Sequence, residues 1–368
     1  MRNLYHYTSV DGFEGIIANN SIRMTKSEFL NDPYDCHMFI KMVEKYLEAH
    51  SDEIRITISK LRDCSKEVEE LYFNKRCNLI SYIEYIQKNI GLYVMSLTKE
   101  KDALNMWNYY GHGGMQLDFS MDSLTDALRG TFVSEKEFLT ESKVIYANME
   151  LDIEKINVPD FSNFVLMNNE SRNIFTEHRS FIKENSYYQA DQLYTTSNLG
   201  KFIATYTKGY VTTLEYLLKK KIIRTSMETN NIFAKVFDNI SKLDNFYFWK
   251  HDLSLYMLVL SALIKSDTYA YENEHRIVYF EYSINTEKKK KEEYSIKSIE
   301  ASRFIYPYIT FKKDRLLNSS LKGVTISPVT SNLPIDNEVY KETLEKFLDS
   351  KGYGRNINLE YSKHSIRW

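Results

Sequence analysis

Two carboxylates and a guanidinium stand at every second position of Tyr271-Glu272-Asn273-Glu274-His275-Arg276-Ile277-Val278-Tyr279. In an extended chain that spacing puts Glu272, Glu274 and Arg276 on one face, with His275, Ile277 and Tyr279 on the other. The β-branched and aromatic run from Ile277 to Phe280 predicts a strand over 276–282. Like charges this close repel, and Arg276 offsets only part of that. The pair is then either a solvated strand start with a local ion pair, or a cleft in which one carboxylate has a raised pKa and moves a proton.

Other polar residues could join it. His6 lies on an expected first strand, Leu4 to Thr8, pointing away from Tyr5 and Tyr7. Ser96 and Thr98 share a face of an expected strand from Leu92 to Thr98. Asp102 is placed to cap a helix carrying Leu104, Met106, Trp107 and Tyr110, which stops at Gly111-His112-Gly113-Gly114. That glycine cluster lacks the G-K-[ST] of a phosphate loop and reads as a helix stop and turn.

These groups are what glycosyl transfer at a nicotinamide ribose needs. Breaking that bond passes through an oxocarbenium-like centre that a fixed carboxylate stabilises. A histidine can hold ribose hydroxyls, an aromatic ring can stack on nicotinamide, and a second carboxylate can orient or deprotonate an acceptor. Each residue also has a plainer role: His6 as a satisfied strand histidine, Trp107 and Met106 as core, Ser96 and Thr98 as ordinary strand residues.

Other chemistries have less to stand on. The 8 histidines are scattered with no H-E-x-x-H, and Asp32, Asp35 and His37 form only a loose cluster. No G-x-S-x-G or elbow-like cysteine turn marks a nucleophile. A nuclease or phosphotransfer reaction using His6 and Arg276 remains an alternative. So does a module that binds a nucleotide or nucleic acid without turnover.

Composition narrows the setting. At 43% hydrophobic and 27% charged, the 368 residues have the balance of a folded chain. The net charge of −2 supplies no global field for nucleic acid. Cys36, Cys64 and Cys77 are odd in number and lack a C-x-x-C pair, which fits a reducing, cytoplasmic setting. The longest apolar run, Leu253 to Ile264, falls short of the roughly 20 residues that span a bilayer, so no membrane association is expected.

The elements that must position the site run strands, helices, strands. Short strands are expected at Ile22–Met24, Met115–Phe119, Val144–Tyr146, Tyr294–Ile299, Phe304–Tyr306, Gly323–Ile326 and Asn356–Tyr361. Asn31-Asp32-Pro33 reads as a turn, and Lys288 to Glu293 as a solvated hairpin tip. Helices are expected at 35–48, as a hairpin over 52–89, at 193–206, 211–223, 232–240 and 246–264, and at 337–348. The order predicts an α+β fold with a mainly antiparallel sheet core and a large helical insertion. Its expected parts are 1–149 with the helical hairpin, 150–265 as the insertion, and 266–368 completing the core.

Four stretches together resemble a bacterial family catalogued as domain of unknown function 2971. They are Leu4-Tyr5-His6-Tyr7-Thr8 with Asn31-Asp32-Pro33, Ser96-Leu97-Thr98 with Met106-Trp107-Asn108-Tyr109-Tyr110, Glu272-Asn273-Glu274-His275-Arg276, and Ser362 to Arg367. The first-strand His-Tyr-Thr, the Ser-bearing middle strand and the Glu-x-Glu strand also look like the ADP-ribosyltransferase fold. That resemblance implies NAD as substrate and His6 on the nicotinamide ribose. It implies Ser96 or Tyr109 lining the pocket, and Glu274 as catalytic carboxylate with Glu272 orienting an acceptor. Tyr7, Thr8 and Trp107 are further candidate ligand contacts, and the planar Arg276 guanidinium suits a pyrophosphate or nucleic-acid phosphate. Transferases with Glu-x-Glu usually carry Arg on the first strand, so the acceptor, nucleic acid or protein or water, and the choice of glutamate stay open. The resemblance further implies an effector of a toxin or phage-defence system, with a defence-system or antitoxin protein as partner.

Overall fold

The computed structural model describes residues 2–30, 36–111, 113–133, 137–148, 153–157, 198–240, 248–281, 292–299, 302–328, 335–354 and 357–364. The expected turn at Asn31-Asp32-Pro33 and most of the lysine run lie outside them. In chain order the first elements are β1 (Asn3–Thr8), α1 (Val10–Asn19), β2 (Ser21–Lys26), α2 (His37–Ala49), α3 (Ser51–Ser59), α4 (Ser65–Glu69) and α5 (Leu79–Ile90). Next come β3 (Tyr93–Thr98), α6 (Leu104–Tyr109), β4 (Met115–Ser120), α7 (Met121–Arg129), β5 (Glu137–Lys143) and β6 (Ile145–Ala147). After them run α8 (Leu199–Lys219), α9 (Thr229–Ile240), α10 (Phe248–Leu263), β7 (Ile264–Ser266) and β8 (Glu274–Glu281). The last are β9 (Glu293–Ile299), β10 (Ser302–Lys312), β11 (Leu321–Ile326), α11 (Asn337–Ser350) and β12 (Asn358–Tyr361).

These elements form two compact units, 1–30 with 93–144 and 268–368, and 31–92 with 145–267. The first holds a ten-stranded sheet in the order β12-β11-β4-β1-β3-β2-β10-β9, with β8 pairing β3 and β5. Its pairings are antiparallel apart from the parallel β11–β12, which makes the fold α+β. β3 pairs along its whole length with β8. On its other edge β1 meets it at Thr98, and β2 meets it at Val94 and Tyr93. The ends of β1 and β2 thus part beside Met95–Leu97.

Strand alternation sorts the sheet into two faces. Leu4, Leu97, Leu117, Phe119, Ile277 and Val324 point one way and are buried with Phe13 and Ile17 of α1, Leu124 and Leu128 of α7, and Leu344 and Leu348 of α11. Each such side chain removed from water contributes roughly 1.5–3 kcal/mol. The helices start on real caps: Ser9 accepts from the Gly12 N–H, and Asp336 from those of Glu338 and Val339. The other face carries Tyr5, Tyr7, Ser96, Thr98, Gln116, Asp118, Glu274, Arg276 and Thr325, by the registers that pair Tyr5 with Thr98 and Asp118, and Thr98 with Glu274.

The second unit is helical, with β6 and β7 as a short parallel pair. The expected helices at 193–206 and 211–223 are one continuous α8 over its described span. Burial of Phe202, Ile203, Tyr206, Tyr210, Leu214 and Leu217 along one stripe carries it through Gly209. In place of the expected hairpin over 52–89, the chain forms three separate helices, α3, α4 and α5, with a π-helical turn at Glu70–Asn74 after α4. Among the described residues no helix is long and apolar enough to cross a membrane.

Candidate functional site

The Glu-x-Glu stretch is not one extended run. Glu272 closes a 3-10 turn, Asp267–Glu272, and Asn273 takes a left-handed conformation at φ +43 before β8 begins at Glu274. Asparagine enters that region more readily than most residues, and here its Nδ2 donates to Glu100 Oε1, far away in sequence, at 2.8 Å. Only Glu274 and Arg276 therefore share a face by alternation. Glu272 is brought back beside them by other contacts: its Oε1 accepts from the Tyr110 hydroxyl at 2.6 Å, and its carbonyl accepts from Thr98 Oγ1 at 2.5 Å.

Glu274 and Arg276 are 4% and 1% exposed. The guanidinium grips the carboxylate with two bonds, Nε to Oε1 at 2.8 Å and Nη2 to Oε2 at 3.1 Å. A planar fork matches a carboxylate in this way, and two charges leaving water together avoid the cost of burying one alone. Tyr110 lies beside both acids. Burial first, then its bond to Glu272 and the charges of Glu272 and Glu274, push its pKa well up, so it stays a neutral donor.

The aromatic group is assembled next to this pair. Tyr7 and Trp107 meet edge to face, centroids 4.8 Å apart, with Met106 beside them. The Tyr7 hydroxyl donates to the Glu100 carbonyl at 2.8 Å and accepts from the Ala103 N–H at 2.9 Å; burial pushes its pKa up. Trp107 is 1% exposed, so its ring is packed in the protein. Two glycines after α6 allow close approach, Gly111 to the Trp107 and Tyr7 rings and Gly114 to the Thr8–Ser9 backbone. A Cβ on Gly111 would stand 2.6 Å from the Trp107 ring, and one on Gly114 2.0 Å from the Thr8 carbonyl. Tyr109, in contrast, is 67% exposed, its ring 6.0 Å from that of Tyr271 and 6.4 Å from that of Tyr110.

His6 and Ser96 meet, but through the backbone. His6 Nδ1 donates to the Ser96 carbonyl at 3.0 Å across the parting of β1 and β2, which assigns the proton to Nδ1 and leaves Nε2 as the acceptor nitrogen. Burial lowers its pKa, and the Ser96 bond opposes that shift. By alternation its side chain lies on the face opposite Tyr5, Thr98 and Glu274. The structure therefore brings together Glu272, Glu274, Arg276 and Tyr110 on one side, Tyr7 with Trp107, and His6 with the Ser96 backbone. It does not bring the His6 ring to Glu274.

Sequence reasoning missed Asp102 as a hub. The cap position of α6 is Ala103, which makes no side-chain cap bond, and Asp102 itself sits at φ +49. Its carboxylate accepts from Trp107 Nε1 and from the Lys363 N–H, both at 2.8 Å, and its N–H donates to Gln116 Oε1 at 2.6 Å. Burial pushes its pKa up, but bonds from Ser362, Lys363 and Trp107 and the nearby His364 outweigh this and hold it below the usual range. Gln116 passes the network on to Thr325 at 3.3 Å, Thr325 to Glu360 at 3.2 Å, and Lys101 pairs with Glu360 at 2.6 Å. Asp118, in the same row of side chains, is pushed up chiefly by burial. The alternation Gln116-Leu117-Asp118-Phe119-Ser120 carries the signal that would have found this polar row. Among the described residues no three His, Cys, Asp or Glu side chains gather as a metal site.

Compared with known protein families, curated proteins and solved structures, the chain has no match to any of them.

Proposed function

We propose that the polar sheet face around Glu272 and Glu274 binds NAD and breaks its nicotinamide–ribose bond, as the resemblance to ADP-ribosyltransferases implies. The observation that supports this reading is the convergence of two buried carboxylates on one neutral phenol, Tyr110, with Arg276 fixing one of them. In the reaction the C1′–N bond breaks and nicotinamide leaves with the electron pair. The acceptor oxygen or nitrogen bonds C1′ and gives up its proton. Glu274, held rigidly by Arg276, suits stabilisation of the cationic ribose. Glu272, tied through one oxygen to Tyr110, suits orientation of the acceptor, which is a nucleic acid, a protein or water. The exposed rings of Tyr109 and Tyr271 are the aromatic groups beside this pair that nicotinamide could stack on. An effector role in a bacterial toxin or phage-defence system, with a protein partner that restrains it, follows from the same resemblance.

A second reading is a module that holds a nucleotide without turnover. It is favoured by one observation, that Glu274 is already engaged by a guanidinium in two bonds. Calorimetric titration of NAD, with nicotinamide release followed by chromatography in the same samples, separates the two. Wild type is expected to bind and release, and Glu274→Gln to bind while release falls about 100-fold or more. Binding without release selects the module. No binding, and no release with cell extract as acceptor, overturns the NAD reading and leaves the module, with nucleic acid as the next ligand to titrate.

A further inference from the structure

We propose that the segment after β12, Ser362–His364, positions α6 through Asp102 and so sets the contact between Tyr110 and Glu272. α6 is six residues long and has no side-chain cap, so it cannot hold its own place. What fixes it at its start is Tyr7, through the Ala103 N–H, and Asp102, through Trp107 Nε1. Asp102 is in turn held from the segment. The Lys363 N–H donates to Oδ2, His364 Nε2 donates to the Asp102 carbonyl at 2.6 Å, and the His364 N–H donates to Ser362 Oγ at 3.1 Å. The segment is itself tied to the sheet by the Ser362 N–H, which donates to the Ile326 carbonyl at 2.9 Å.

The path therefore runs from β11 through residues 362–364 and Asp102 to Trp107, along α6, to Tyr110 and the Glu272 carboxylate. Asp102 keeps a left-handed backbone that a non-glycine residue adopts at a cost, and the bonds converging on it offset that cost. Anything that draws the segment away would free Trp107 first and Tyr110 with it. Asp102 and the segment are positioning groups, and they bear on the site proposed above without depending on NAD being its ligand.

The test uses the full chain with Trp249→Phe and Trp368→Phe, so that Trp107 is the remaining tryptophan of the three. Lys363→Pro removes the N–H that Asp102 accepts from, whereas Lys363→Ala keeps it. The expected result for Lys363→Pro is a red-shifted, more easily quenched Trp107 emission and amide exchange over 104–111 faster by about tenfold or more, with β4 and β8 as protected as before. Lys363→Ala should match wild type. Asp102→Asn should show the same change as Lys363→Pro, in smaller degree, and decides the matter if the proline variant loses protection in β4 as well. Unchanged Trp107 emission and unchanged exchange over 104–111 in Lys363→Pro, with β4 intact, overturn the proposal. Because none of these readouts uses NAD, they stand whether or not the chain cleaves it.

Discussion

The same strands build both faces of the sheet, and the two faces are held by different forces. Toward α1, α7 and α11 the side chains are Leu4, Leu97, Leu117, Phe119 and Ile277, interchangeable in kind and held by removal from water. On the opposite face Thr98, Glu274, Arg276, Gln116 and Thr325 are held by named partners at 2.5 to 3.3 Å. A core methyl lost leaves a small cavity, whereas a partner lost leaves a charge or a donor stranded out of water. The polar face is thus more vulnerable per atom, and that is where the candidate chemistry sits.

Arg276→Ala tests this most severely. It leaves the Glu274 carboxylate buried without its two-pronged partner and should cost about 3–5 kcal/mol in urea unfolding. Leu117→Ala on the apolar face should cost about 2–5 kcal/mol, from transfer and cavity together. Replacing both members, Glu274→Gln with Arg276→Met, should recover much of the first loss but nothing of the second. If Arg276→Ala costs less than about 1 kcal/mol, the pair behaves as a solvated surface bridge and the contrast between the faces fails.

His275 sharpens the comparison, because it stands between Glu274 and Arg276 in sequence yet points to the apolar side. It is 3% exposed, and neither ring nitrogen has a hydrogen-bond partner among the described residues; Glu141 Oε2 is 3.9 Å away. Burial first, then the charges of Arg2, Lys99 and Lys143, push its pKa down from 6.5 to about 4. The unfolded chain takes up the proton below 6.5, and the folded one resists it until about 4. Stability is therefore full above the upper value and falls as pH drops through the window, by an amount on the order of 3 kcal/mol. The difference in urea stability between wild type and His275→Leu, measured from pH 7.5 to pH 4, isolates this slope from the carboxylates that titrate nearby. A difference that stays flat over that range would mean the imidazole is solvated.

The strands of the first unit were legible where alternation was clean. The expected starts and ends at Leu4–Thr8, Leu92–Thr98, Met115–Phe119 and Gly323–Ile326 fall within two residues of the observed ones. β5 was not legible: Glu137, Glu141 and Lys143 put charges through a strand that is sheltered by pairing with β8. Glu272 was misplaced onto the strand because nothing local distinguishes an asparagine that turns left-handed from one that extends. Asp102 was read as a cap because its carboxylate partners, Trp107 and Lys363, include one from the other end of the chain. Long-range partners decide polar roles, and spacing along the chain does not encode them.

The smallest effect is expected where neither force acts. Tyr109 projects into solvent beside Tyr271, so Tyr109→Ser should leave urea stability within about 0.5 kcal/mol of wild type. If the polar face binds a planar ring there, the same substitution forfeits a stacking contribution of about 0.5–1.5 kcal/mol and weakens NAD binding several-fold in calorimetry. Trp107, packed at 1% exposure, has no such separation between its two roles, and its truncation would be read mostly as unfolding. A Tyr109→Ser protein with unchanged stability and unchanged NAD affinity would remove this ledge from the site. A ligand that does bind would then rest on the carboxylates and Tyr110, and the aromatic pair would be surface alone.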